Sequence, residues 1–427
     1  MKLILAKLLP AKKDDIFCYC LILVTLLPII YLLFDQKHSY MVLNYFALII
    51  FAAVFIFLAT RAVIKKQKIT IFKSKAFIIL TVMYLLMFMS TFFAYNQVAA
   101  WLGFYRGYLC ELSIFQYIFY YVVAVVAINM KKENIIYLLN LVLVVSSIII
   151  IAQFVKQDYH YGFVNRNHTG FYLSITTMLA VGLFLYSKNV IKSIVLALVM
   201  IMHFISLSLN SSFGPMVGVI VFFVLGLIYI LIHKREILLK FIIVLVCFLS
   251  VVAFFDYVPK ARELKCEPET TIEKIVGVSV VVLNKAGIIS DAQYEDFNVV
   301  DGSDGWGRLA MWQRCLENMK ERPIFGIGVA SWKSYNTDMR LQTPHNEFLQ
   351  YGTFAGIPCL LAYLVLIFYL FIKFRKNHKN MSSLLVIIFG ALLVYLVQSI
   401  FGSVMPFTAP LFYIILGLAI KGVDFSV

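Results

Sequence analysis

The sequence predicts an all-α polytopic membrane protein of about twelve transmembrane helices with one large, mainly helical outer loop. Three observations predict it. The 427 residues are 62% hydrophobic and only 14% charged, with mean hydropathy +0.90, whereas an average soluble domain is about 45–50% apolar and about 25% charged. The apolar residues gather in runs of about 20, the length that crosses a ~30 Å hydrocarbon core. The cations fall in alternate connections between those runs. Thirty-eight Phe and 25 Tyr exclude a disordered chain. An excess of 37 Lys+Arg over 22 Asp+Glu would suggest nucleic acid in a soluble protein. Here the sorting of loop charges accounts for the excess, and the expected surroundings are a lipid bilayer with no nucleic acid.

Taken in order, the runs lie at 16–34, 40–60, 76–94, 111–130, 134–154, 168–187, 191–209, 213–232, 236–256, 353–372, 382–401 and 406–424. Each is read as a helix, because backbone polar groups in lipid must pair within their own segment. The first is too long for a signal h-region and lacks a small-residue cleavage site. With the amino terminus placed in the cytoplasm, 22 Lys/Arg fall in cytoplasmic segments and only Lys37, Arg106, Lys156 and Arg166 in short outer loops. The remaining 11 lie in residues 257–352. The expected organisation is therefore nine helices in 1–256, an extracytoplasmic loop in 257–352, and three helices in 353–427, with both termini inside.

Polar residues within the runs are few: Asn44, Glu111, Gln116, Gln153, His203 and Gln398. Intramembrane ionisable groups usually mark function, but His203 reads better as an interhelical histidine with its hydrogen bonds satisfied than as a proton carrier. The seven Cys show no metal-ligand spacing. Cys266 and Cys315 lie on the outer side, either bridged or, as the preferred reading, isolated thiols.

The outer loop is the segment large enough to carry chemistry. Residues 258–275 are acid-rich and have no assigned role, and 275–290 are apolar but short, suited to lying along the membrane surface. After Gly305-Trp306-Gly307-Arg308, the residues Leu309, Trp312, Leu316 and Met319 recur at helical spacing up to Pro323. Arg308 falls on that apolar side, where an arginine either snorkels or meets an anion. Pro323-Ile324-Phe325-Gly326-Ile327-Gly328 reads as a turn-rich hexamer, for which a tight bend is sufficient explanation. In Thr343-Pro344-His345-Asn346-Glu347, Thr343 suits a helix N-cap and Pro344 the first helical position. His345 and Asn346 would then sit in a first turn that favours anions. Two short outer loops add donors: Trp101–Tyr108 around Arg106, and Gly162–Gly170 with Asn165, Arg166, Asn167 and His168.

The run Arg308-Leu309-Ala310-Met311-Trp312, followed by Pro323–Gly328 and by Pro344-His345-Asn346-Glu347-Phe348-Leu349-Gln350 with later glycines, resembles the O-antigen ligase/polymerase family over 308–356. The helix layout extends the resemblance loosely over most of the chain. It implies a membrane glycosyltransferase in the bacterial inner membrane that uses a polyprenyl-pyrophosphate-linked oligosaccharide donor on the outer face. The acceptor would be lipid A core (a ligase) or the next repeat unit (a polymerase, as for O-antigen or capsular polysaccharide). A flippase and a chain-length regulator are expected as further partners. The resemblance matches His345 and Arg308 to the family's outer-loop histidine and arginine, the expected catalytic residues; Arg106, Arg166, Asn165, Asn167 and Asn346, as donors on the outer face, are the expected binders of the pyrophosphate and glycan. Where the family often has a Ser-Arg-Gly turn, this chain reads Asn210-Ser211-Ser212-Phe213-Gly214, so Arg106 or Arg166 becomes the candidate replacement.

The chemistry follows from that donor. Breaking the sugar C1–O bond places charge on a pyrophosphate, which guanidinium groups bind bidentately. An acceptor hydroxyl must lose a proton, for which His345 is either the base or, alternatively, a phosphate ligand. No DxD motif lies on the outer side, since Asp301 and Asp304 are three apart; the expected reaction uses neither metal nor cofactor. Two alternatives remain. A peptidoglycan-type glycosyltransferase would be expected to use an acidic outer-loop base. A transporter of lipid-linked oligosaccharide would need polar residues along many spans.

Overall fold

The computed structural model describes residues 15–32, 74–106, 109–163, 166–265, 270–271, 273, 305–337, 343–377 and 382–425. The run at 40–60 lies outside the described residues. Up to the long loop the chain forms α1 (Ile16–Leu32), α2 (Lys75–Phe92), a short α3 (Gln97–Leu102), the strands β1 (Phe104–Arg106) and β2 (Leu109–Glu111), α4 (Ile114–Asn129), α5 (Ile135–Lys156), α6 (Arg166–Leu185), α7 (Val190–Asn210), α8 (Phe213–His233) and α9 (Leu238–Tyr257). Then come α10 (Pro259–Arg262), α11 (Gly305–Glu321), α12 (Trp332–Tyr335), α13 (Glu347–Ala355), α14 (Ile357–Asn377), α15 (Ser383–Gln398) and α16 (Ala409–Asp424). Among the described residues eight helices are long and apolar enough to cross a membrane, and α1 and α4 are shorter apolar helices. The chain is a helical, multi-pass membrane protein.

The boundaries differ from expectation in two places, each for a local reason. The run at 111–130 begins as a helix only at Ile114, because Ser113 and Gln116 form a capping box that fixes the start there. Glu111 instead belongs to the small antiparallel pair, in which Tyr105 faces Cys110. The run at 353–372 is split between α13 and α14 at Gly356, whose φ is +85°. A side chain at Gly356 would strike the carbonyl of Ile324, and the left-handed backbone there is open chiefly to glycine.

The core helices are α6 and α16, buried over almost their whole length. By contrast α7 and α9 present Val190, Ile191, Leu198, Leu239, Val246 and Leu249 outward, each more than half exposed, as suits lipid-facing sides. Close approach depends on small residues: a Cβ at Gly218 on α8 would lie 2.9 Å from the carbonyl of Val394 on α15. Some buried polar groups are paired between and within helices. Ser174 donates to Gln398 at 2.6 Å, and Gln398 donates to the Phe171 carbonyl at 3.1 Å. His203 bonds Ser146 at 2.9 Å through Nε2 and the Val199 carbonyl at 2.8 Å through Nδ1, consistent with a satisfied interhelical histidine.

The two ends of the bundle differ. At one end Asp15 accepts from the Lys131 N–H and the Asn134 amide, each at 2.8 Å. At the same end Asp424 accepts from Ser74 at 2.6 Å and Tyr369 at 2.8 Å. Helix alternation puts Lys188, Lys192, Lys234, Arg235, Lys373 and Arg375 at this end. The opposite end gathers α11, α12, α13 and the connections α5–α6, α7–α8 and α15–α16.

Candidate functional site

The turn before α13 is fixed at three consecutive residues. His345 has a left-handed backbone, φ +48°, and its N–H donates to the Ser403 hydroxyl at 3.0 Å. Asn346, not Thr343, is the N-cap: its side chain accepts from the Leu349 N–H at 3.0 Å. His345 and Asn346 therefore precede the helix rather than form its first turn, because Asn346 satisfies a first-turn N–H that Thr343 was expected to meet. Glu347 opens α13 fully buried, and its carboxylate accepts from Tyr395 at 2.6 Å, Tyr363 at 3.1 Å and Tyr351 at 3.3 Å. Burial pushes the Glu347 carboxyl up to about 7, with the three phenol donors partly offsetting the rise.

The connection between α15 and α16 carries Ser403 and brings a second imidazole to this turn. Thr408 donates to the His168 carbonyl at 3.4 Å, and Phe407 lies 5.5 Å, centroid to centroid, from the His168 ring. The His168 ring thus lies against the connection that carries Ser403. Arg166 and Asn167 open the same helix, α6, both half-buried. Asn167 accepts from Ser212 at 2.8 Å, so the α6 start is tied to the α7–α8 corner where the family arginine is missing. The α15–α16 connection thus meets the His345 turn through Ser403 and the start of α6 through Thr408. Asn165 lies outside the described residues.

Arg308 sits in the first turn of α11, half-buried, on the side that carries Met311, Cys315 and Asn318. Of the expected stripe Met319 is buried, Leu309 and Trp312 are half-buried and Leu316 is 51% exposed, while Met311, Cys315 and Asn318 are fully buried, so the inward face is turned toward the Arg308 side. The reason is the partner. The middle of α11 packs on the end of α13, where Thr353 donates to the Cys315 carbonyl at 3.5 Å, and α13 offers a narrow, partly polar face. Cys315 is a free thiol, and Cys266 lies outside the described residues. The hexamer after α11 is a bend: Ile327 and Gly328 donate to the Thr353 and Phe354 carbonyls at 2.9 and 3.0 Å, and Ile357 donates to the Pro323 carbonyl at 2.8 Å.

Arg106 is in β1, opposite Leu109. The strand pair is held to the loop by Glu111, which is buried and accepts from the Trp332 N–H at 3.0 Å and the Lys333 N–H at 2.8 Å. Burial pushes this carboxyl up to about 7, against the pull of those N–H donors and of Lys333. Around it, Arg314 donates to Asn336 at 2.8 Å and Tyr335 to Glu321 at 2.5 Å. Sequence reasoning missed the parts played by Glu111, Glu347, His168 and Ser403. The available signals were an acid beside a histidine motif and a histidine at the mouth of α6; the partners of each are remote in sequence.

Residues 196–364 match the family model described as O-Antigen ligase. This stretch carries an O-antigen ligase domain, which supports the O-antigen ligase/polymerase resemblance. That domain runs from within α7 to within α14, and so contains Arg308, the bend at Pro323–Gly328 and the His345 turn. Arg106 and the start of α6 lie outside the matched residues. No curated protein matches the chain.

Proposed function

We propose that this protein transfers a polyprenyl-pyrophosphate-linked oligosaccharide to a glycan or lipid A core acceptor at the outer face of the bacterial inner membrane. The observation that carries the reading is the O-antigen ligase match over 196–364, which encloses both the Arg308 helix and the His345 turn. In the reaction an acceptor oxygen bonds to sugar C1 as the C1–O bond to the pyrophosphate breaks. The acceptor loses its proton and the diphosphate leaves on the polyprenyl lipid. Arg308, with Arg166 and Arg106, supplies cationic donors for the leaving oxygens. His345 takes the acceptor proton or binds the diphosphate. Asn167 and Asn346 offer amides to the headgroup and glycan. The absence of a paired-acid motif from the loop sequence favours charge stabilisation by arginine without a divalent ion.

Purified protein in detergent, given a polyprenyl-pyrophosphate oligosaccharide, tests this. Chain lengthening without a second acceptor identifies a polymerase, and transfer only on adding lipid A core identifies a ligase, each persisting with chelator present. His345→Ala is expected to lower product formation about 10²- to 10⁴-fold if His345 is the base, with insertion unchanged. Equal product from wild type and His345→Ala overturns the assignment of His345. No product from folded wild type with either acceptor overturns the transferase reading.

A further inference from the structure

Glu347 stands two residues after His345, and nothing in the transfer chemistry above uses it. It is also an expensive residue to place there. A carboxylate taken fully out of water is destabilising unless its oxygens are met, and here three phenols on three helices meet them: Tyr351 on α13, Tyr363 on α14 and Tyr395 on α15. Tyr351 is further joined to Tyr413 of α16 at 3.0 Å, and the Tyr395 ring stacks on Phe412 of α16 at 3.8 Å. The first residue of α13 is therefore tied directly to α14 and α15, and through Tyr351 to α16. Packing alone does not demand this, since apolar side chains of the same volume replace buried polar clusters at little or no cost in stability.

What the cluster does fix is the direction in which the chain leaves the turn. His345 has a left-handed backbone held at its N–H by Ser403, and α15, which supplies Tyr395, leads directly into the connection that supplies Ser403. The Tyr395 phenol that meets the Glu347 carboxylate and the Ser403 hydroxyl that meets the His345 N–H are thus carried by one segment, 383–403. We infer that Glu347 is a positioning residue for His345: its tyrosine-bound carboxylate and the Ser403 hydroxyl together hold the turn so that the imidazole keeps one orientation. This rests on the transferase reading for its catalytic consequence, but the orientation itself is independent of that reading. Displacements of about 1 Å at a reacting group cost on the order of 10²-fold in rate, and such sites depend on the groups that lock their geometry.

The test compares wild type, Glu347→Gln and Glu347→Leu in detergent, with Tyr395→Phe as a variant that keeps the carboxylate and removes its shortest donor. Two readouts are taken on the folded fraction. The first is kcat and KM for the lipid-linked oligosaccharide; Glu347→Leu is expected to lower kcat about 10- to 100-fold with KM nearly unchanged, and Glu347→Gln and Tyr395→Phe less. The second is the ¹⁵N imidazole signal of His345, assigned by its loss in His345→Gln; it is expected to shift or broaden in the same order. Unchanged kcat and an unchanged His345 signal in folded Glu347→Leu or, should that variant not fold, in Tyr395→Phe would sink the inference. If wild type shows no turnover at all, the transferase reading fails, and the His345 signal alone decides whether Glu347 positions it.

Discussion

His345 and Glu347 are neighbours in the chain with opposite demands on their surroundings. The imidazole is half-buried at a turn; the carboxyl is sealed among phenols. Because burial raises the Glu347 carboxyl from the ordinary 4.5 to about 7, the folded protein holds a proton there that the unfolded chain releases. The associated stability is fully present below the ordinary glutamate range and is lost as pH rises through about 7. The shift corresponds to about 3 kcal/mol at about 1.4 kcal/mol per unit, and buried Glu111 acts in the same direction. Melting temperature in detergent should therefore fall between pH 5 and pH 7.5, and the fall should be smaller in Glu347→Gln; identical slopes would refute it. The histidine was legible in the sequence because Pro-His-Asn carries its own signature. The carboxylate was not, since its partners stand 4, 16 and 48 residues away and no local pattern connects them.

At the level of elements, long apolar runs were legible wherever lipid alone sets the length, and less so wherever a polar contact does. The split at Gly356 illustrates this: hydropathy is continuous across it, yet α13 ends because the Gly352 carbonyl receives the Gly356 N–H and the backbone turns left-handed to let Ile357 reach Pro323. Gly356→Ala is expected to cost at least about 1–3 kcal/mol from the backbone alone, with the clash against Ile324 in addition. Thermal unfolding should show a clearly lower midpoint, whereas Gly218→Ala tests only close helix approach. A midpoint unchanged in Gly356→Ala would mean that the corner tolerates a side chain. The inward face of α11 was legible in part for a related reason: amphipathic spacing marked Met319, but the contact with α13 also buries Met311 and Cys315 and leaves Leu316 exposed.

For the whole molecule, charge alternation in the sequence and the gathering of loops in the structure concern the same axis. The lysines and arginines of the α6–α7, α8–α9 and α14–α15 connections share one end, and the His345 turn occupies the other. If the positive-inside rule sets the orientation, a single cysteine introduced at Lys188 into a cysteine-free background should react with an impermeant maleimide only after the cells are permeabilised. One at His160 should react in intact cells. The reverse pattern would put the proposed transfer on the wrong side of the membrane.

The backbone bonds from Ile327 and Gly328 to the end of α13, with the Ser403 bond at His345, fasten both roots of the stretch 329–344 to the bundle. Just past the first root, Trp332 is fully buried and the Trp332 and Lys333 N–H groups hold Glu111, so residues 329–336 are themselves part of the scaffold. Replacing them would loosen the tie between the strand pair and the outer loop, so this segment behaves as a keystone and not as an exchangeable cassette.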